Sequence, residues 1–380
     1  MGKRVLLITL ALVFFLSGEI LAQLKIGVSA PMTGTIPVVG ASTKRAAEFA
    51  VEEVNAKGGL RIGGKMVKVQ LFVEDDENKP EVGAAVAQKL INQYGVHGII
   101  GSQASKVAIA VAAVAESFGV PMISPWSTNP KTTAGKRFVF RACFIDDFQG
   151  WVMAKFSKDE LKAKTAGVLY DVASDYNKGI AEFFKKSFEE LGGKVVSFET
   201  YTTGDKDFSA QLTKIKGANP DVLFLPNYYD EIPLQTQQAK RLGVKSIIIG
   251  GDGWDVPEIL KLGGKDLEGT YFSTHYSIDT ATAVTKEFVN KFKARYGELP
   301  DTPAALTYDA FRIMFLAAER AGKLDRKAIR DQIARIRRYE GVTGTMQFRE
   351  GSGDPLKSAV IIKIANGRFN YLKTVEPIMK

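Results

Sequence analysis

From Leu24 onward, short apolar runs alternate with stretches of helical periodicity, and this alternation constrains the fold more than any other feature. Leu24 to Ala30 reads as a buried strand. Residues 42–55 then place Ala46, Phe49, Ala50 and Val54 at helical spacing before Lys57-Gly58-Gly59 stops the helix. The unit repeats: a strand over 67–73 precedes a helix over 80–94, the strand 98–100 precedes a helix over 106–118, and the strand 120–124 closes the series. Strands linked by helical crossovers predict a parallel, doubly wound α/β sheet.

A second series follows a strand at 138–142. Strands at 166–170, 194–201, 222–225 and 246–249 alternate with helices at 148–161, 178–191, 208–216 and 233–242. The tail differs, with helices at 285–296, 304–321 and 326–336, then two strands, 359–364 and 369–374, that turn about Asn366-Gly367. A chain of 380 residues exceeds what one hydrophobic core usually serves. Two α/β lobes of doubly wound, Rossmann-like type are expected. No low-complexity tether separates them, so several close-set strands should form the hinge. The helix over 106–118 is apolar all round and rich in small side chains, but too short to cross a bilayer, so it should pack on the sheet.

Residues 1–22 stand apart from this pattern. Lys3 and Arg4 precede the apolar run 5–16, and a small residue, Ala22, ends the stretch, as in a secretory signal peptide. Cleavage is expected after Ala22. No cysteine lies near that site, so export to the periplasm without a lipid anchor is the expectation. Cys143 is the only cysteine, which excludes an intrachain disulfide and requires a core that folds without staples. The formal net charge is +9. Basic residues are scattered among acidic ones with no aromatic and basic motif, so no nucleic-acid partner is expected.

Two hydroxyl-bearing loops, Gly101-Ser-Gln-Ala-Ser105 and Pro125-Trp-Ser-Thr128, follow strands of the first lobe. They place Ser105 and Thr128 at strand C-terminal ends, where open α/β sheets bind ligands. Each hydroxyl could instead cap a helix. In the second lobe Tyr176, Tyr228 and Asp252 hold the equivalent position after their strands. Hydroxyls and free helix N–H groups on one wall suit a carboxylate, and an aspartate on the other suits an ammonium. That polarity belongs to an amino acid. Glu52-Glu53 and Asp75-Asp76-Glu77 lack ligand spacing for a metal and read as solvated acids. His97 and His275 are the only histidines, and neither lies in a nucleophile motif. No phosphate-binding glycine fingerprint follows a strand. Neither an enzyme, a cofactor nor a metal is expected.

Six stretches together carry a family resemblance: Ile26-Gly-Val-Ser-Ala-Pro-Met-Thr-Gly34, Asn55-Ala-Lys-Gly-Gly59, Ile123-Ser-Pro125, Asp207-Phe-Ser-Ala-Gln-Leu212, Asn219-Pro-Asp-Val-Leu-Phe-Leu-Pro226 and Gly344-Thr-Met-Gln-Phe348. In their order and spacing the chain resembles the leucine/isoleucine/valine-binding proteins, the type I periplasmic substrate-binding components of branched-chain amino acid ABC transporters. The resemblance implies one lobe from residues 23–142 with 273–350 and another from 143–272 with 351–380. It implies that Ser105 and Thr128 hold a ligand carboxylate, and that the Trp126 carbonyl, the Thr128 hydroxyl and Asp252 receive its ammonium. Tyr176 and Tyr228 would close over the ligand.

Departures from the family pattern bear on selectivity. Asp252 stands where leucine binders carry Glu. The loop Pro37-Val-Val-Gly40 brings Val39, not an aromatic residue, to the side-chain pocket, and Gln103 replaces an apolar residue. Asn78 and Ala104 occupy positions that carry a disulfide in some members. The resemblance implies a monomeric receptor that closes on a free, aliphatic amino acid and presents it to an inner-membrane ABC permease. A receptor for an amide, urea or aromatic acid, or one that signals to a membrane sensor, remains an alternative from sequence.

Overall fold

The computed structural model describes residues 22–377, so the expected signal peptide lies outside the described residues except for Ala22. Along the chain, β1 (Leu24–Ala30), α1 (Pro37–Ala56), the hairpin β2 (Leu60–Ile62) and β3 (Lys65–Val67), and β4 (Val69–Asp75) come first. Next are α2 (Pro80–Asn92), β5 (Gly98–Ile100), α3 (Ser105–Ser117), β6 (Met122–Ser124) and β7 (Val139–Arg141). The first sheet has the order β4-β1-β5-β6-β7, and every pair in it is parallel. Its strand order reverses at β1, and the crevice at such a reversal lies beyond the strand C-termini.

The second series comprises α4 (Asp146–Asp159), β8 (Thr165–Asp171), α5 (Asp175–Glu190), β9 (Lys194–Tyr201), α6 (Ser209–Ala218), β10 (Val222–Leu225), α7 (Ile232–Leu242), β11 (Ile247–Gly250), α8 (Glu258–Gly263) and β12 (Tyr271–Thr274). Helices α9 (Ala283–Tyr296), α10 (Thr302–Ala321) and α11 (Arg326–Ile333) follow. Five strands complete the chain: β13 (Arg338–Gly341), β14 (Gly344–Phe348), β15 (Pro355–Leu356), β16 (Ala359–Ala365) and β17 (Arg368–Val375). The second sheet runs β17-β16-β12-β11-β10-β8-β9, parallel from β12 to β9 and antiparallel at the β16 and β17 edge.

Helices α9 and α10 return to the first lobe, where Phe288 and Phe292 pack on Phe49 of α1. The chain therefore passes between the lobes three times, after β7, after β12 and after β14. The doubly wound, two-lobed α/β architecture and its multi-strand hinge are as expected. Sequence reading missed β12 and the β13-β14-β15 sheet, and it read 37–40 as a loop. That segment is the first turn of α1, started by Pro37, whose missing N–H costs nothing at a helix start.

Among the described residues no helix is long and apolar enough to cross a membrane. Of the acids expected to be solvated, Glu52 is exposed and Asp76 is the one that is buried. Asp76 is fully buried and accepts from Ser29 Oγ at 2.9 Å, from the Asn78 N–H at 3.0 Å and from Ser102 Oγ. Glu52 pairs with Arg295 at 3.1 Å and Glu53 with Lys291 at 3.1 Å.

Candidate functional site

The loops that follow β5 and β6 are braced from beneath. Gly101 holds φ +125°, and a Cβ there would come within 2.2 Å of the Ser29 carbonyl, so this tight approach to β1 requires glycine. Asp76 anchors the next residue, Ser102, as described above. Arg141, fully buried, donates to the carbonyls of Ser127 at 2.6 Å and Asn129 at 2.9 Å, and its Nε stands 2.6 Å from Asp354 on the third passage. The second loop is thus fixed to the hinge. Cys143 lies against the Ser127 carbonyl at 3.2 Å, and burial pushes its thiol up to about 12, so it is an inert packing residue.

Ser105 and Thr128 are free of capping duty. Ala104 occupies the N-cap of α3 with no side-chain cap, which leaves Ser105 in the first turn beside open N–H groups. Asn129, not Thr128, caps the short turn that follows, accepting from the Lys131 N–H at 3.0 Å. Ser127 Oγ donates to Ser105 Oγ at 3.0 Å, joining the two loops. Thr128 Oγ1 is buried without a hydrogen-bond partner.

The opposite wall comes from the second lobe. Asp252, at the C-terminal end of β11, accepts at Oδ1 from Tyr176 OH at 2.8 Å and Gln149 Nε2 at 2.9 Å, and its Oδ2 lies 2.9 Å from His275 Nε2. Tyr176 belongs to the first turn of α5, not to the loop expected before it. The Tyr228 ring lies 5.0 Å from that of Tyr176 and 5.9 Å from that of Trp126, so Tyr228 bridges the lobes. Its hydroxyl faces the Ser105 N–H across the cleft. Asn129 Nδ2 reaches the Asp175 carbonyl at 2.7 Å, and Lys131 pairs with Asp175 at 3.0 Å. The lobes are closed.

Sequence reasoning missed three residues here. Asp146 starts α4, is fully buried, and has no hydrogen-bond partner on either carboxylate oxygen. Burial holds its carboxyl well above the usual range against the pull of the nearby Thr128 hydroxyl. Gln149, one turn on, uses its Nε2 on Asp252 and Ser273 while its Oε1 stays unpaired. His275 is the third. Asp146 was legible by the rule used for its neighbours, because it follows β7 at a strand C-terminal end.

Gln103 and Val39 are both held within the first lobe. Gln103 Nε2 donates into its own lobe, to Thr43 Oγ1 at 2.6 Å and Thr307 Oγ1 at 3.1 Å, leaving only Oε1 without a partner. Val39 is fully buried in the lobe core. Trp126 is 3% exposed with its indole N–H unpaired. A groove of about 400 Å³ is lined by Phe144, Phe148, Trp151 and Phe183, and Gln103, Val39 and Trp126 are not part of its lining. The site is marked by enclosed, unpaired polar atoms and not by an open pocket.

Two doubly wound lobes, linked by three passages and closed over oppositely polar walls, define a solute-binding protein of the type I periplasmic class. Residues 23–368 match the periplasmic binding protein family, and the chain belongs to it. It is 32% identical over 351 residues to Leu/Ile/Val-binding protein homolog 3 of Brucella melitensis, covering 92% of this chain and 93% of that one. To the leucine-, isoleucine-, valine-, threonine-, and alanine-binding protein of Pseudomonas aeruginosa it is 31% identical over 328 residues, 86% of either chain. The crystal structure of a leucine binding protein, LivK, from Thermotoga maritima superimposes with TM-score 0.88 at 39% identity, covering 93% of this chain and 99% of that one. LivJ of Streptococcus pneumoniae, in complex with isoleucine, gives 0.87 at 33% identity, with 94% and 100% covered.

Proposed function

We propose that the protein is an extracytoplasmic receptor that closes its lobes around one free aliphatic amino acid and delivers it to an ABC permease of the inner membrane. In this reading residues 1–22 are removed on export and the mature chain is a soluble monomer without a lipid anchor. Residues 23–142 with 273–350 move as one body, and 143–272 with 351–380 as the other. Closure is a population shift, since only the closed form lets both walls touch the ligand.

The observation that carries the proposal is Asp146 beside Thr128. A buried carboxyl with both oxygens unpaired is costly, and a ligand ammonium placed between Asp146, Asp252 and the Thr128 hydroxyl supplies the missing partner. Ser105 and the open N-terminus of α3 take the carboxylate, which needs no counter-cation there. The Trp126 carbonyl completes the ammonium shell, Tyr176 and Tyr228 cover the ligand, and Val39 and Gln103 border its side chain. The relatives' names, with leucine, isoleucine, valine, threonine and alanine among their ligands, support the same chemistry.

The test is a thermal-shift screen of the purified mature protein against the twenty amino acids, simple amides and aromatic acids. A ligand at 100 times its dissociation constant stabilises by about 2.7 kcal/mol. Stabilisation by aliphatic amino acids is expected. A shift confined to acids lacking an ammonium would overturn the proposal.

A further inference from the structure

His275 follows β12 directly, on the second passage between the lobes, and its side chain is fully buried. Its Nε2 lies 2.9 Å from Asp252 Oδ2. A carboxylate only accepts, so Nε2 carries the proton and donates, while the Nδ1 lone pair is buried without a partner. Burial holds the imidazole below its usual range despite Asp252, so the ring is neutral. A neutral ring does not cancel the charge of Asp252. What it supplies is direction.

A carboxylate offers about four acceptor positions. Oδ1 of Asp252 takes Tyr176 OH and Gln149 Nε2, and Oδ2 takes His275, so one position on Oδ2 stays open. Tyr176 and Gln149 stand on helices of the second lobe and move with Asp252. His275 stands on the passage itself, and its ring stacks on Phe144 with centroids 3.8 Å apart and planes at 27°. Phe144 lies on the first passage, between β7 and α4. Two of the three hinge passages therefore meet on the residue that aims the charge.

We infer that His275 is a positioning residue that leaves one Oδ2 lone pair of Asp252 open for the ligand ammonium and ties that orientation to the hinge through Phe144. The inference rests on the amino acid reading above.

Two variants separate the donor from the ring. His275→Phe keeps a ring for Phe144 and removes the N–H, whereas His275→Gln keeps an N–H at similar reach and removes the stack. Calorimetric titration uses L-leucine and its hydroxyl analogue, 2-hydroxy-4-methylpentanoate, which lacks the ammonium. His275→Phe should weaken leucine binding by about tenfold to a hundredfold, as expected for a lost hydrogen bond to a charged group, and change the hydroxy acid by less than about threefold. His275→Gln should bind leucine within about threefold of wild type. Nitrogen-15 NMR should show the Nε2–H tautomer in wild type.

Equal loss for both ligands in His275→Phe would make the role structural and overturn the inference, as would an Nδ1–H tautomer. Wild type that binds leucine alongside an indifferent His275→Phe overturns this inference alone. Wild type that binds none of the twenty amino acids overturns the receptor reading and this inference with it.

Discussion

The Tyr176 hydroxyl donates to Asp252 Oδ1 at 2.8 Å and accepts from the Gly253 N–H at 3.0 Å. One hydroxyl thus joins the first turn of α5 to the loop that carries Asp252. The fit is tight, since a Cβ on Gly251 would stand 2.7 Å from that oxygen. Orientation of the charge is set by packing as well as by donors.

Tyr176→Phe keeps the ring against Tyr228 but leaves Asp252 with one donor fewer and the Gly253 N–H without its acceptor. Losing a hydrogen bond to a charged group costs about 1.5–3 kcal/mol. Ligand affinity should fall by about tenfold or more while circular dichroism stays unchanged. Calorimetry that finds unaltered affinity would remove Tyr176 from the site.

Asp146 should make ligand binding release protons. Its carboxyl is held well above the usual range by burial, so with the site empty it keeps its proton to a higher pH than an ordinary aspartic acid does. A ligand ammonium beside it favours the carboxylate and lowers that pKa. Binding should therefore expel a proton, and affinity should rise as pH increases through the raised titration range of Asp146. Calorimetry in buffers of different ionisation enthalpy measures the release, which Asp146→Asn should abolish. Proton uptake on binding would reverse the assignment.

The βα alternation made the two sheets legible because buried parallel strands read as apolar runs and amphipathic helices repeat near every fourth residue. β12 escaped because Tyr271-Phe-Ser-Thr274 is short and half polar, and its partner β16 lies far down the chain. Strand-end logic nominated Ser105, Thr128, Tyr176, Tyr228 and Asp252 as candidates. It stopped short at Asp146, which resembles an ordinary acid in the first turn of a helix. His275 and Gln149 carry no local signal at all. They meet Asp252 from 23 and 103 residues away, a proximity that only the finished topology creates.

Closure requires a small residue at Gly179. A Cβ there would lie 2.8 Å from Asn129 Nδ2 and 3.2 Å from Asp146 Oδ2, and Asn129 is held in place by its bond to the Asp175 carbonyl. Gly179→Ala should weaken ligand binding by about tenfold, because its clash with Asn129 of the other lobe arises only in the closed form. Small-angle scattering at a ligand level that closes wild type should then show a larger radius of gyration for the variant. Identical profiles and affinities would show that α5 has room to spare.

The hinge should make the ligand-free protein less stable as pH rises. Asp255 is buried and receives the hydroxyls of Thr274 and Thr302, yet burial still pushes its carboxyl up to about 7. Asp301, the cap of α10, is pushed up to about 6 for the same reason. An acid whose folded pKa exceeds its unfolded one gives stability that is complete below about 3.9 and lost as pH rises through the folded value. Melting temperature should accordingly decline between about pH 5 and 7, and Asp255→Asn should flatten the decline. A variant with the wild-type slope would exclude Asp255 as its source.

Gln103 has a fixed amide orientation. Thr43 donates to the Val39 carbonyl at 2.8 Å and Thr307 to the Pro303 carbonyl at 2.7 Å, so each hydroxyl has already committed its one proton. Both must accept from Gln103, which puts Nε2 toward them and leaves Oε1 as a buried acceptor without a partner. Such an acceptor favours a ligand side chain that carries a donor, as the hydroxyl of threonine does. Gln103→Leu removes the donor to two hydroxyls and should cost about 1–3 kcal/mol of stability, read in denaturant unfolding. It should also raise the preference for leucine over threonine by about tenfold, read in competition calorimetry. Lost stability with an unchanged leucine to threonine ratio would confine Gln103 to the lobe core.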